Sequence, residues 1–237
     1  MGDSQADAAG QWKIGIGPGI MVAPTFPGSS SVKAYPLPAQ DISWNNRVFS
    51  QGPDVLGINV LRGKDYHVGS SISLDFQSRT SSDDPRLHGL PNVHCGPKLR
   101  LFADYTWWAF TGSAAMYQDI GGTGQGRTVT TDLVASVPVG RLLLSIGPGF
   151  TWADAQYTRT FFGITAVQSA ASHLPQYQTG SGIRDVHMNV DATYDFSRRW
   201  SSALALTAGR LERYAAASPI TESRFELTAV AAVSYRF

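Results

Sequence analysis

Residues 221–237 read TESRFELTAVAAVSYRF, and from Phe225 onward every second residue is apolar: Phe225, Leu227, Ala229, Ala231, Val233, Tyr235 and Phe237. The other parity carries Glu226, Thr228, Val230, Ala232, Ser234 and Arg236. A period of two belongs to a strand, because successive side chains of a strand point to opposite faces. One face of this strand is apolar from end to end and finishes on two aromatic rings. Such a face must be covered, either by a protein core or by lipid. That requirement limits the chain to sandwiches and barrels.

The rest of the chain repeats the pattern. With 24 Gly and 13 Pro in 237 residues, many short strands and turns are favoured over long helices. Alternating runs are expected at residues 11–22, 32–44, 47–51, 55–62, 66–77, 93–104, 109–118, 128–137, 141–152, 181–196, 200–211 and 221–237. In the first run Gly15 and Gly17 lie on the inner parity, where a neighbouring wall can approach closely. Between the runs, Asn45-Asn46, Gly63-Lys64-Asp65, Trp107-Trp108, Pro138-Val139-Gly140 and Arg198-Arg199 read as short turns. Gly52-Pro53-Asp54 splits what would otherwise be one strand, since Pro53 cannot sit inside a central strand. The remaining connections are longer: residues 23–31, the polar stretch 79–92, the Gly-rich 119–126, the segment 153–180 and residues 212–220. Within 153–180, residues 165–172 form a short helix candidate.

Twelve runs make an even number, as closed bacterial membrane barrels require, with both ends on the periplasmic side. The short turns then fall inside and the long loops outside. The expected fold is an all-β, antiparallel, up-and-down transmembrane barrel spanning residues 11–237, preceded by a periplasmic segment at 1–10. The last strand has to pair with the first to remove both sheet edges.

Charge supports lipid over water as the surroundings of the wall. Only 16% of residues are charged, against about a quarter in ordinary soluble domains. The polar parity instead holds mixed charges: Asp75, Lys98, Arg100, Asp104, Asp132, His187, Asp191 and Asp195. A lumen too wide to be filled by side chains, and therefore hydrated, accommodates these at little desolvation cost. Trp12, Trp44, Tyr66, Tyr105, Trp107, Trp108, Trp152, Tyr157, Tyr194, Trp200, Tyr235 and Phe237 stand near strand ends, as interfacial girdles do. A net charge of +1 without Lys/Arg runs gives no case for a nucleic-acid partner. No apolar run is long enough for a membrane helix. The first residues lack a signal sequence, so the chain is read as a mature form with an added Met, destined for the outer membrane and its lipid.

From residue 147 the sequence GPGFTWADAQYTRTFFGITAVQSAASHLPQYQTGSGIRDV carries a recognisable motif set. Trp152-Ala153-Asp154, Tyr157, Phe161-Phe162-Gly163-Ile164-Thr165, Leu174-Pro175-Gln176-Tyr177 and Gly182-Ile183-Arg184-Asp185-Val186 follow in order. Tyr35-Pro36-Leu37-Pro38, Arg210-Leu211 and Ala217-Ser218-Pro219-Ile220 add to it. Together they resemble the MltA-interacting protein (MipA/OmpV) family of Gram-negative outer membranes, over nearly the whole chain. Two loop positions depart from that family: Phe26-Pro27-Gly28-Ser29 lacks its acid, and Gln77-Ser78-Arg79 stands in place of a Gly-Arg. The resemblance implies an outer-membrane barrel that joins a lytic transglycosylase to a peptidoglycan synthase, or a porin-like or adhesive protein. It implies no catalytic residues and no cofactor. Tyr235 and Phe237 are expected to form the signal read by the barrel assembly machinery.

Other candidate sites carry less. Gly121–Arg127 (GGTGQGR) lacks the Gly-Lys-Ser/Thr ending of a phosphate loop and reads as a flexible outer turn. His88, His94 and Cys95 lack a second pair at metal-ligand spacing. Ser218 lacks the frame of a nucleophile elbow and reads as a turn cap. His187, Asp191 and Asp195 look like a triad, yet i and i+4 residues of a strand stand about 13 Å apart, too far for proton relay. A stripe lining the lumen accounts for them. The segment 153–180 is long for a compact domain, and long loops are usually functional. It either folds inward as a constriction anchored by Tyr157, Phe161, Phe162 and Tyr177, or packs on the rim.

Overall fold

The computed structural model describes residues 12–237; the segment 1–10 and Gln11 lie outside the described residues. The strands are β1 (Trp12–Pro24), β2 (Val32–Trp44), β3 (Val48–Gln51), β4 (Asp54–Arg62), β5 (Tyr66–Asp75) and β6 (Gly96–Trp107). They continue as β7 (Phe110–Asp119), β8 (Arg127–Val139), β9 (Leu142–Ala153), β10 (Gly182–Asp195), β11 (Trp200–Leu211) and β12 (Phe225–Arg236). Each strand pairs antiparallel with its neighbours in sequence, and β12 closes on β1 to complete the barrel. The register Ile16↔Tyr235 and Met21↔Val230 makes the terminal strand the seam of the wall. An added Cβ at Gly17 would run into the backbone carbonyl of Val233, so the seam closes at that height because position 17 is glycine.

The sequence alternation becomes two faces. On β10, Val186, Met188 and Val190 are exposed on the outer side, while Asp185, His187, Asn189 and Asp191 face the lumen. Leu133, Ile146, Leu204 and Leu227 continue the apolar outer wall on other strands. A band of exposed aliphatic side chains around a closed sheet is what lipid requires and water penalises. Among the described residues no helix is long and apolar enough to cross a membrane.

The turns at the inner end are tight. Asn45 and Asn46 both take φ of 51°, the left-handed pair of a two-residue hairpin. Trp108 (φ 58°) and Gly140 (φ 63°) do the same for the β6–β7 and β8–β9 turns. Several boundaries differ from the expected ones, three of them next to turns or the mouth. Pro138 belongs to β8, which runs to Val139, so the turn starts at Gly140. β6 starts at Gly96, not at 93, because Val93 is drawn into the packing described below and bridges Arg79. β4 starts at Asp54, whose side chain turns into the lumen instead of ending in the turn.

The aromatic rings are also distributed unevenly. Trp12 and Trp44 (ring centroids 6.5 Å apart), stacked Trp107 and Trp108 (5.8 Å), and Trp200 with Tyr235 (5.1 Å) all sit at the inner end. Trp152 alone of the expected tryptophans marks the outer end of a strand. Tyr157 is fully buried and belongs to no girdle.

Candidate functional site

The outer mouth is where this barrel keeps its buried apolar side chains. The connection after β9 folds into helix α1 (Ala155–Phe162) and helix α2 (Ala166–Ser172), and a short helix α3 (Arg213–Ala216) follows β11. Asp154 caps α1 by accepting from Tyr157 N at 2.7 Å. Thr165 and Gln168 close a reciprocal capping box on α2. The expected helix at 165–172 is therefore present, but the longer α1 before it was not anticipated. Its signal was in the sequence: an Asp cap, then Tyr157, Thr158, Phe161 and Phe162 at helical spacing, all buried on one face.

That face packs with Val93, Ala153, Leu211 and Ala215 into one cluster, in which Tyr157, Phe161 and Phe162 have no exposed surface. A second cluster joins Phe26, Leu87, Leu90, Ile164 and Ile220, with Leu174 and Tyr177 against it. Every long outer connection contributes a side chain or a backbone group. The result is a cap with a core of its own at the outer mouth.

Polar contacts pin the cap from each side. Arg79, 2% exposed, donates to the carbonyl of Phe161 at 2.6 Å, at the end of α1 where unpaired carbonyls concentrate negative potential. Burial pulls its pKa down to about 10, so it remains cationic at neutral pH. The stretch 79–92, expected as a polar loop, is held in place by this residue together with Leu87 and Leu90. The Gly-rich turn is likewise anchored and not free. Buried Gln125 donates to the carbonyls of His94 (2.7 Å) and Gln77 (3.1 Å), and Thr160 donates to that of Gly124 (2.6 Å). Ser218 donates to Phe162 O (2.7 Å) and accepts from Ile220 N (3.2 Å), which makes it a turn cap. Tyr177 donates to Tyr214 O at 3.0 Å. At the Phe26–Ser29 turn, Glu226 of β12 accepts from Gly28 N at 2.6 Å, so a lumen acid holds the loop that carries none.

Beneath the cap the lumen charges are paired. Lys98 is buried against Asp75, and Arg100 meets Asp54 at 2.7 Å. His187 lies between Asp132 (2.9 Å) and Asp185 (2.8 Å), and Asn189 donates to the same oxygen of Asp132 at 2.8 Å. Asp191 faces the lumen on the same stripe as His187, Asp104 lies on the lumen parity of β6, and Asp195 meets Arg236 at 3.1 Å near the inner end. The expected stripe missed Asp54, Arg184, Asp185 and Glu226. Arg184 escapes the alternation because it sits at a register shift in β10, which turns its side chain inward. It donates to Asp185 at 2.5 Å and to the Tyr157 hydroxyl at 2.8 Å, and that hydroxyl donates to Gln77 at 2.6 Å. Burial pushes the Tyr157 phenol well above its usual range, which keeps it protonated as a donor. Thr207, Asn189, Asp132, His187, Asp185, Arg184 and Tyr157 thus form one hydrogen-bonded chain from the lumen wall to the cap helix.

At the seam, Tyr235 contacts both Trp200 and Phe237 (centroids 4.9 Å apart) and accepts from Arg199 at 3.1 Å. Phe237 is 83% exposed, and its N–H donates to Ile14 O at 3.0 Å. Both ring nitrogens of His187 are taken up by carboxylates, Nδ1 by Asp185 and Nε2 by Asp132. Among the described residues no group of three His, Cys, Asp or Glu side chains is placed to hold a metal ion, and Cys95 is exposed.

Comparison with known proteins gives a family first. The family described as MltA-interacting protein MipA matches residues 16–237. Among curated proteins no match is found. Among solved structures, an OmpF of Salmonella typhi in complex with daunomycin is 12% identical, with a TM-score of 0.38; the match covers 85% of this chain and 57% of that one. The COG4313 outer membrane channel from Pseudomonas putida F1 is 14% identical with a TM-score of 0.46, covering all of both chains. The CymD monoaromatic hydrocarbon channel is 12% identical with a TM-score of 0.38, covering 95% of this chain and 87% of that one.

Proposed function

This chain belongs to the MltA-interacting protein MipA family, and on that premise we propose that it is an outer-membrane barrel acting as a scaffold for cell-wall enzymes. The observation that carries this reading is the cap. A pore that passes solutes freely does not cross its mouth with a dry aromatic core of Tyr157, Phe161 and Phe162, pinned by a buried arginine. The wall surrounds itself with lipid, the mouth is covered, and the turns at the inner end face the compartment in which murein enzymes work. The family's name records an interaction with MltA, a lytic transglycosylase, and the resemblance extends the partnership to a peptidoglycan synthase. Insertion of the barrel relies on the assembly machinery reading Tyr235 and Phe237. No step of this role requires catalysis.

A second reading is favoured by the paired charges beneath the cap. In it the barrel is a narrow channel for small polar solutes, and residues 153–180 are its gate. Purified protein in planar bilayers separates the two. A silent barrel that retains MltA on a column supports the scaffold. Stepwise conductance that vanishes when 153–180 is cross-linked to the wall, with no retention of MltA, overturns it in favour of the channel.

A further inference from the structure

The wall of the barrel is not of even height. β1 and β2 run side by side for their full length, from Trp12↔Trp44 to Pro24↔Val32. On its other side, β2 pairs with β3 only from Asp41↔Gln51 to Trp44↔Val48. β3 turns back at Gly52, and β4 begins at Asp54, already opposite Ser73 of β5. Among the described residues no strand is therefore paired with that side of β2 over residues 32–39. The outer half of the wall carries a notch.

The notch lies at membrane height. A tilted strand climbs about 2.5 Å per residue, so an apolar belt about 25 Å tall covers roughly ten residues. Counted from Trp44 at the inner girdle, the belt reaches the neighbourhood of Ala34, and residues 34–39 fall in its outer half.

An open strand edge invites another strand, and this edge is built to refuse one. Gly52 N donates to Gln40 O and Arg47 N donates to Trp44 O, so the even-numbered residues of β2 turn their backbone groups toward β3. Within the notch, those residues include Pro36 and Pro38. Proline has no N–H. Two donors are thus deleted at positions where no strand would receive them, as edge strands are blunted against pairing.

Behind the notch lies a cavity of about 340 Å³. Its lining joins the rim of the notch, at Tyr35, Pro53 and Leu74, to the paired charges Lys98 and Asp75 and to Arg184 and Glu226 under the cap. Leu74 lies on the lipid-facing parity of β5 and is 43% exposed, yet it also borders this cavity. Leu74 N donates to Pro53 O at 2.9 Å, so the cavity meets the wall at the edge of the notch.

We propose that the notch is a lateral portal through which a single-chain amphiphile from the surrounding membrane enters the chamber under the cap. Its head group rests among Lys98, Arg184 and Glu226, and its chain lies across Leu74 and Pro36 in the apolar belt. Both signs of charge line the chamber, so a zwitterionic head meets complementary groups, whereas a singly charged head also meets a like charge. The portal serves a scaffold as well as a channel, since it bypasses the mouth.

The test uses the full chain in phosphatidylcholine nanodiscs and a lysophosphatidylcholine with a photoactivatable diazirine next to its head group. Adducts are mapped by mass spectrometry. Labelling of lumen-facing Tyr35 and Thr228, in excess of lumen-facing Thr193 near the inner end, is expected. Filling the chamber with Thr228→Phe should remove the Tyr35 adducts and leave those on the outer wall. Unlabelled lysophosphatidylcholine should compete at least about tenfold better than an alkyl sulfate or an alkyltrimethylammonium of equal chain length, because a like-charge contact costs upward of one such factor. Adducts confined to outward-facing residues overturn the portal. So do equal labelling of Thr193 or equal competition by all three amphiphiles, and the competition arm stands even if Thr228→Phe does not fold.

Discussion

Single residues decide how tightly the mouth is closed. Tyr157 joins the cap core to the lumen chain through one hydroxyl, which accepts from Arg184 and donates to Gln77. Tyr157→Phe keeps the ring and removes both bonds, leaving Arg184 with one buried partner fewer. A loss of about 1–3 kcal/mol is expected, the cost of leaving such groups unsatisfied. It should show as faster hydrogen exchange at amides of 155–162, with the wall strands unchanged. Uniform acceleration across the barrel would mean that the hydroxyl is not specific to the cap. At the other end of the molecule, Phe237 is largely exposed, and its ring touches Tyr235. Deleting it should reduce insertion in cells far more than refolding in detergent, and equal losses in both would argue against an assembly signal. Arg79 illustrates what sequence reading cannot show: a charged residue in a polar stretch looks solvated, and only the position of the α1 carboxyl end makes it a buried pin.

Among the elements, α1 carries the most weight for function. Its length and cap are local matters, written in Asp154 and in the spacing of Tyr157, Phe161 and Phe162. Whether it lies on the rim or across the mouth is not local. That depends on Val93, from the β5–β6 connection, and on Leu211 and Ala215, from the end of β11 and the connection after it. Phe161→Ala removes a fully buried ring and should cost the cap about 3–5 kcal/mol. The measurable result is protease cleavage within 153–180 while the barrel itself stays resistant. If the barrel unfolds together with the cap, the two are one cooperative unit and the cap is no separate gate. β3 teaches a parallel lesson about strands. Its shortness was legible from Asn45-Asn46 and Pro53, which bracket it. That the shortness leaves a notch in the wall became visible only once β2 and β4 were placed on either side.

For the molecule as a whole, the closed wall and the covered mouth make separate predictions. A closed barrel with an aliphatic exterior should resist denaturation in detergent as one unit, independently of the cap. Removing residues 155–178 and bridging the gap with a Gly-Ser linker should leave the heat-modified, folded barrel intact on a gel. The same variant should conduct in planar bilayers if the cap is what closes the lumen. A folded but still silent variant would place the block deeper, among the paired charges Lys98–Asp75 and Arg100–Asp54.

The strand content, the closure of β12 on β1 and the division into lipid-facing and lumen-facing residues were determined by the sequence alone. A period of two assigns each side chain to a face without reference to any other part of the chain, and lipid on the outer face then requires the end strands to pair. The cap, the chain from Thr207 to Tyr157 and the notch beside Pro36 and Pro38 were decided only in the tertiary structure. Each depends on residues brought together from different hairpins at one height of the wall, and alternation along a single strand carries no information about height.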